Sequence, residues 1–216
     1  MPEIKFFFAS GACSLCPHIL LHEIEADYQP VQVINNGPEV KFSEDFHRIN
    51  PKMRVPVIAV NQEVVTELPA VATIISSLAP EKGLMGRGAL DTVRVYEWMN
   101  YLSGTLHAGA FGHLFRPDRW TTATDPTSLE AVKLKARERM TECFQHVEGR
   151  LQGVHAVGDY FTAVDPFLYV FYRWGAIIGE DMSVYPKYAA LVRNLEARPA
   201  VQTTLEKEKL SLILSE

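Results

Sequence analysis

The first 80 residues alternate short β-type apolar runs with stretches of helical spacing. Ile4 to Phe8 predicts a strand, and Ile19, Leu20 and Ile24 fall on one side of a helix predicted over Leu15 to Glu25. The same patterns predict, in chain order, a strand over Tyr28 to Ile34 ended by Asn36-Gly37-Pro38, strands over Val55 to Val60 and Val64 to Val65 joined by Asn61-Gln62-Glu63, and a helix over Thr66 to Leu78. The order β-α-β-α-β-β-α predicts an α/β domain with a mixed sheet.

Beyond Pro80 the pattern changes, because a glycine-rich connector is followed only by helical periodicity. We therefore expect an α/β domain over residues 1–80, a linker over 81–89 and an all-α domain over 90–216. A first long helix is predicted from the spacing of Val93, Tyr96, Met99, Tyr101 and Leu102. A second is predicted over Leu129 to Leu151, with Leu134, Met140, Phe144, Val147 and Leu151 pointing inward. A capping box at Thr162-Ala163-Val164-Asp165 precedes a helix over Pro166 to Ile178, and further helices are predicted to start at Pro186 and Pro199.

Composition narrows the class of protein. With 216 residues, 47% of them apolar, the chain can bury a full core, and a net charge of -5 argues against a nucleic-acid or anionic-membrane surface. No stretch approaches the roughly 18 unbroken apolar residues of a membrane span, and the start of the chain lacks a signal-peptide pattern. Three cysteines do not make a secreted disulfide framework, so a reducing, cytoplasmic location is expected.

Cys13 is the first candidate for chemistry, because it lies between the first strand and the first helix. Unpaired N–H groups at a helix N-terminus stabilise a thiolate, so we expect the pKa of this cysteine to lie below its free value of about 8.5. The alternative is a small thiol buried at a tight turn. Cys13 and Cys16 also form a C-x-x-C pair, which indicates either dithiol exchange or a Cys16 that only fills a helix face.

The remaining candidates are individually weak. Val55-Pro56 by itself indicates only a proline at the start of a strand. Glu67 is predicted in the first turn of a helix, where its carboxylate could offset the helix dipole or bind a ligand ammonium. His107 and His113, six residues apart, should not share a helix face, and no metal-ligand spacing is present.

Taken together, these motifs resemble the glutathione transferase family, and within it the bacterial beta class. The segments that carry the resemblance run through nearly the whole chain in order: Gly11-Ala12-Cys13-Ser14-Leu15 with Pro17-His18-Ile19, Asn50-Pro51-Lys52-Met53-Arg54-Val55-Pro56, Thr66-Glu67-Leu68-Pro69-Ala70-Val71-Ala72, Glu97-Trp98-Met99-Asn100-Tyr101, Leu106-His107, Leu114-Phe115-Arg116-Pro117, Gly158 to Asp165, and Arg198-Pro199-Ala200-Val201.

The resemblance implies a thioredoxin-like N-terminal domain that binds glutathione and an all-helical domain that shapes the second-substrate pocket. It places Cys13, Ser14 and His107 near the glutathione sulfur as catalytic residues. The glutathione-binding residues that it implies are Arg54, Val55 ahead of a cis Pro56, Glu67 on the γ-glutamyl amino group, Leu68, and Asn100 reaching glutathione across a dimer interface. The second-substrate pocket that it implies is lined by Phe8, Ala12, Phe111, Phe115 and Trp174. A homodimer without metal is the expected form.

The chain also departs from the family pattern. Leu68 stands where a serine would bind the γ-glutamyl carboxylate, Met53 replaces a glycine, and Ala108 replaces a lysine. Phe6-Phe7-Phe8 offers no tyrosine hydroxyl, and Cys16 stands where alanine is usual. These changes predict a narrower or more apolar site.

The residues and the family resemblance lead to four functional hypotheses. The favoured one is a glutathione-dependent transferase that adds the glutathione thiolate to a small apolar electrophile. The runner-up is a glutathione-dependent cis–trans isomerase of an activated double bond. The others are disulfide exchange through Cys13 and Cys16, and a non-catalytic binding module built on the same fold.

Overall fold

A computed structural model describes residues 2–33, 35–36, 39–40 and 44–214. Ile34, the last residue of the second predicted strand, lies outside the described residues, and so do Gly37 and Pro38. The strands are β1 (Ile4–Phe8), β2 (Gln29–Gln32), β3 (Asn35–Asn36), β4 (Glu39–Val40), β5 (Val57–Val60) and β6 (Glu63–Thr66). The α-helices are α1 (Leu15–Glu23), α2 (Glu44–Ile49), α3 (Leu68–Leu78), α4 (Ala89–Tyr101), α5 (Gly112–Phe115), α6 (Pro126–Arg150), α7 (Val164–Ile177), α8 (Pro186–Glu196) and α9 (Pro199–Glu208).

Four strands form one mixed sheet in the order β2-β1-β5-β6. β1 pairs parallel with β2 and antiparallel with β5, and β5 pairs antiparallel with β6. The crossover through α1 joins the parallel pair, as a parallel connection requires. The predicted α/β thioredoxin-like fold with a mixed sheet is confirmed, with an added short hairpin of β3 and β4.

Because side chains alternate along β1, successive phenylalanines pack on opposite faces of the sheet. Phe6 and Phe8 lie in the large core cluster with α1, α3 and the C-terminal helices, while Phe7 packs on the opposite face with Val57. The helix α1 is therefore buried between the sheet and α7 and α9, and the two parts of the chain share one continuous core.

The β5–β6 turn is tighter than predicted. Asn61 and Gln62 have φ values of 50° and 75°, which suit a two-residue hairpin turn, and Glu63 already pairs with Val60. The turn therefore has two residues where three were predicted, because Glu63 is already part of β6.

Downstream of residue 89 the described chain is helical, as expected, although one segment of the first long helix is wound more widely. Leu102–Phe111 is a π-helix between α4 and α5. Starts at Pro186 and Pro199 are confirmed. The prediction that Leu134 points inward is wrong, since it is 58% exposed. The buried residues of this 25-residue helix are Ala136, Met140, Cys143, Phe144 and Val147, so Leu134 falls on its exposed side.

The capping box is half formed. The Asp165 carboxylate accepts a hydrogen bond from the Thr162 N–H at 2.8 Å, but the Thr162 hydroxyl is buried without a partner. Asp165 also accepts from the Ala156 N–H at 2.8 Å, so this carboxylate fixes the chain ahead of α7.

Candidate active site

Cys13 lies in the loop between β1 and α1, and its side chain is almost fully buried. Its thiol donates to the Val55 carbonyl oxygen at 3.3 Å. Burial raises the pKa of Cys13 to about 12, and the Cys13 and Ser14 N–H groups and the Arg54 charge offset this only in part. The expected lowering of this pKa is therefore wrong, because loss of hydration outweighs the helix terminus. At neutral pH Cys13 is a thiol that donates a hydrogen bond.

Ser14, expected near the glutathione sulfur, does not line the cleft that holds Cys13. Its hydroxyl is buried, accepts from the Ala9 N–H and donates to the Ala9 carbonyl, both at 3.1 Å. The side chain closes the loop after β1, and its two hydrogen bonds leave it no free donor for a substrate.

Cys16 also faces away from the cleft. Its thiol is fully buried and donates to the Ala163 carbonyl at 3.6 Å, and burial raises its pKa well above the usual value. This environment favours the interpretation that Cys16 fills a helix face over the one in which it acts as a second redox thiol.

The Cys13 loop is fastened by the C-terminal helices, which sequence reasoning missed. The Glu208 carboxylate accepts from the Gly11 N–H at 2.8 Å and contacts His18 Nδ1 at 2.6 Å, while the Ser10 hydroxyl donates to the Glu208 carbonyl at 2.6 Å. Trp174 Nε1 donates to the Gly11 carbonyl at 2.8 Å. Because α7 and α9 hold the loop from one side, the position of Cys13 depends on both parts of the chain.

The segment before β5 presents a backbone edge to Cys13. The Val55–Pro56 peptide bond is cis, as the family resemblance implied. Asn50 shapes this turn, because its side-chain amide donates to the Arg54 carbonyl at 2.7 Å. Met53 has a φ of 54°, in the left-handed region that favours glycine, which explains the glycine expected at this position.

Glu67 immediately precedes α3 and does not lie in its first turn, which begins at Leu68. Its φ is 69°, and its exposed carboxylate meets the Lys52 ammonium at 2.5 Å. The Leu68 side chain is buried in the core. The first turn of α3 therefore offers backbone N–H groups, and one carboxylate stands beside them.

His107 lies on the π-helical segment, with its ring against Phe171 and Trp174 at centroid distances of 5.8 and 5.2 Å. Burial, followed by the Arg54 charge, lowers its pKa to about 4. The imidazole is neutral at pH 7. His113 instead stacks on Trp120 at 3.8 Å, so the two histidines face different surroundings, as expected from their spacing.

These elements enclose a cleft of about 640 Å³ between the sheet domain and the helices. The cleft brings together nine of the residues named from the sequence: Cys13, Arg54, Val55, Pro56, Glu67, Leu68, Asn100, His107 and Phe115. Its lining also includes residues that were missed: Asn50, Thr66, Pro69, Ser103, Ala108, Gly112, Arg116, Arg119 and Trp120.

Four residues predicted for the second-substrate pocket do not line this cleft. Phe8 and Phe111 are buried in the core, and Ala12 packs on the far side of the sheet against Phe7 and its neighbours. Trp174 lies behind Phe115, at a centroid distance of 5.5 Å, with its N–H bound to Gly11. The lining also carries three arginines, Arg54, Arg116 and Arg119, so the cleft is not purely apolar. The expectation of a narrower or more apolar site than a general detoxifying enzyme has stays a prediction.

Among the described residues, no group of three or more His, Cys, Asp or Glu side chains could hold a metal ion. Within the same residues, no helix has the length and apolar content needed to cross a bilayer.

Comparison with known proteins gives a consistent result. Residues 106–199 match the family model described as the glutathione S-transferase C-terminal domain. The chain is 29% identical over 210 residues to glutathione S-transferase GstA of Escherichia coli O157:H7, covering 96% of this chain and all of that protein.

Solved structures extend this likeness to the whole fold. A glutathione transferase homologue from Sulfitobacter with bound glutathione has a TM-score of 0.89 and 30% identity, over 97% of this chain and all of that one. The bacterial beta class glutathione S-transferase of Sphingomonas chungbukensis has a TM-score of 0.83 and 31% identity, over 96% of this chain and all of that one.

A thioredoxin-like sheet domain, a helical domain and a thiol in the cleft between them define a class of thiol-dependent transferases. The chain belongs to the glutathione S-transferase family.

Proposed function

We propose that this protein is a cytoplasmic transferase that adds the thiolate of glutathione to a small electrophile with an apolar body. The observation that carries the proposal is one cleft lined by the Cys13 thiol, the Val55 carbonyl, Glu67 at the start of α3, and His107. Glutathione is a co-substrate here, and no step requires a metal. The Sulfitobacter homologue, similar over nearly the whole chain, was solved with glutathione bound.

The sheet side of the cleft suits an extended, zwitterionic tripeptide. The cysteinyl unit of glutathione can pair with the backbone of Val55 as an added strand does. The γ-glutamyl carboxylate then meets the N–H groups at the start of α3, and its ammonium meets the Glu67 carboxylate. Leu68 supplies no hydroxyl, so its backbone N–H donates without side-chain support.

Cys13 assists the glutathione sulfur as a hydrogen-bond donor. A thiol with a pKa of about 12 is a poor nucleophile at pH 7, so a mixed disulfide with glutathione is disfavoured. When glutathione occupies the Val55 carbonyl, the Cys13 S–H loses its present acceptor and is free to turn toward the glutathione thiolate. The positive charge of Arg54, which acts on both Cys13 and His107, favours the same thiolate.

The chemical step is a nucleophilic addition or displacement. Glutathione gives up its thiol proton to solvent, and the sulfur forms a bond to the electrophilic carbon. The leaving group departs with its electron pair, or the carbanion takes a proton. The protein contributes proximity and a partly dehydrated site, and neutral His107 is placed to donate a hydrogen bond.

Conjugation of 1-chloro-2,4-dinitrobenzene, followed by absorbance, tests this proposal. Cys13→Ala should lower kcat/KM by about 100-fold, the size of effect seen when one preorganised donor is removed. Cys143→Ala, which removes a buried cysteine of α6, is the matched control and should stay near wild type. Wild-type protein without activity, and without thermal stabilisation by about 10 mM glutathione, would exclude a glutathione-dependent function.

Cis–trans isomerisation is a second candidate, favoured by the position of Arg54. Addition of the thiolate to a double bond conjugated to a carbonyl creates an enolate, and a cation beside the sulfur stabilises it. Rotation and loss of the thiolate then release the isomer. Turnover that changes the geometry of the double bond but leaves the glutathione concentration constant distinguishes this reaction from conjugation.

We also propose that the protein forms a homodimer, and we retain residues 1–80, 81–89 and 90–216 as its two domains and linker. Leu90 and Val93 of α4 are exposed apolar residues one turn apart, which supports an interface there. Asn100, farther along this helix, lines the cleft and donates to the Tyr96 carbonyl at 2.8 Å. Light scattering coupled to size-exclusion chromatography measures the oligomeric state, and Leu90→Glu should weaken association.

A further inference from the structure

The helical wall of the cleft carries positive charge that glutathione binding, as proposed, does not use. Arg116 and Arg119 follow α5, and Arg54 stands on the opposite wall. The acidic residue in the lining is Glu67, which already pairs with Lys52. The whole chain has a net charge of -5, so this concentration of arginines is local to the cleft.

Arg119 is available for a ligand. Neither Arg54 nor Arg119 makes an ion pair with a carboxylate within the described part of the chain. Arg119 ends the short 3-10 turn Pro117–Arg119 and is exposed at the cleft. Asp118 belongs to the same turn but does not line the cleft. A planar guanidinium at this point can bind a carboxylate through two hydrogen bonds.

Aromatic rings flank these arginines. Phe115 and Trp120 line the same stretch of wall, and both are more than one-third exposed. The Trp120 ring is held in place by stacking on His113, at a centroid distance of 3.8 Å and an interplanar angle of 14°. Gly112 packs beside it, since a Cβ there would lie in ordinary contact with the Trp120 ring, at 3.7 Å. This wall is therefore a fixed aromatic surface with a cation at its edge.

The tripeptide and this wall lie on opposite sides of the cleft. Val55 and the start of α3 belong to the sheet domain, whereas the segment from Phe115 to Trp120 belongs to the helical one. The electrophile therefore occupies the helical side, where the aromatic surface favours a flat molecule and Arg119 favours a negatively charged one.

We propose that the electrophile is an aromatic carboxylate, with its ring against Phe115 and Trp120 and its carboxylate bound by Arg119. This inference rests on the proposed transferase function and narrows its substrate class. It adds a carboxylate to the small apolar electrophile expected from the sequence.

The test compares 4-chloro-3,5-dinitrobenzoate with its methyl ester. In both, the glutathione sulfur bonds to the ring carbon that carries chlorine, chloride leaves with the electron pair, and the thiol proton passes to solvent. Because the carboxylate and its methyl ester differ in intrinsic reactivity, each kcat/KM is divided by the uncatalysed rate constant with glutathione. The wild-type ratio should favour the carboxylate, and added salt should reduce that preference.

Arg119→Gln should lower the normalised kcat/KM for the carboxylate about fivefold, the upper range for an exposed ion pair, and leave the ester unchanged. Arg119→Lys should restore part of the loss. Lys187→Gln, which removes an exposed charge on α8, is the matched control and should change neither value. Equal normalised rates for the two acceptors, or an equal loss for both in Arg119→Gln, would overturn the inference and leave the transferase function standing.

Binding separates the two proposals if neither acceptor reacts. The unreactive 3,5-dinitrobenzoate should quench tryptophan fluorescence through Trp120, and Arg119→Gln should weaken its binding about fivefold. Binding of this kind without conjugation would refute the transferase function but support the carboxylate site. Absence of both binding and conjugation would refute both.

Discussion

Glu208 fastens the loop that carries Cys13, and its removal should destabilise the whole protein. Its carboxylate is buried between the Gly11 N–H at 2.8 Å and His18 Nδ1 at 2.6 Å. His18 in turn contacts the Tyr28 hydroxyl at 2.7 Å through its other ring nitrogen. Glu208→Ala would leave the Gly11 N–H and one nitrogen of His18 buried without partners.

The size of the effect follows from those two groups. A buried polar group left unsatisfied costs about 1–3 kcal/mol, so the two together should lower the free energy of unfolding by about 2–6 kcal/mol. For a chain of this size each kcal/mol corresponds to roughly 2–4 °C in Tm. We therefore expect Tm to fall by roughly 10 °C, and the KM for glutathione to rise because Gly11 lies two residues before Cys13.

Urea unfolding followed by both circular dichroism and tryptophan fluorescence measures the loss and detects any separate unfolding of the two domains. Glu206→Ala is the matched control, since Glu206 is exposed on the same helix and should change stability by less than about 0.5 kcal/mol. Glu208→Gln should be milder than Glu208→Ala, because an amide oxygen can still accept from Gly11. A loss below about 1 kcal/mol for Glu208→Ala, or one equal to that of Glu206→Ala, would refute the reasoning.

Three further predictions concern the cleft and its surroundings. The pKa of His107 is about 4 in the folded protein and 6.5 in the unfolded chain. Between these two pH values the unfolded chain therefore binds a proton that the folded protein does not. The stability that this group contributes is complete above pH 6.5 and falls as the pH drops toward 4, by at most about 3 kcal/mol. His107→Asn should therefore make the free energy of unfolding less dependent on pH over that range. Urea titrations at several pH values measure this dependence. Cys16→Ala should leave conjugation within twofold of wild type, measured beside reduction of a small disulfide, and a collapse of either rate would point to a dithiol mechanism. Leu68→Ser should tighten glutathione about tenfold in calorimetry, because it restores a hydrogen bond to a carboxylate. It should also lower Tm because Leu68 is buried, and an unchanged Kd would show that this hydroxyl has no role.

The sequence predicted the elements well because their periodicity is local. The consecutive apolar residues Phe6, Phe7 and Phe8 put rings on both faces of a strand, and the structure has a core on each side of β1. Helix starts at Pro186 and Pro199 followed from the fixed φ of proline. The family motifs also predicted that Cys13, Val55, Glu67 and His107 belong to one site, and all four line the cleft.

The orientation of individual side chains could not be predicted in this way. Ser14 and Cys16 are near Cys13 in sequence, yet the Ser14 hydroxyl donates to the Ala9 carbonyl and the Cys16 thiol donates to the Ala163 carbonyl. Leu134 fits the apolar period of α6 but is exposed. Such outcomes depend on what packs against each position, which a periodic pattern does not contain.

The sequence by itself determined the order of strands and helices, the change from α/β to all-α structure, and the family. Only the tertiary structure decided the protonation of Cys13, since the balance between burial and the helix terminus depends on residues distant in the chain, such as Arg54 and Val55. It also decided the character of the cleft. Arg54 and Arg119 are 65 residues apart in the chain, and folding brings both into the lining of one cleft.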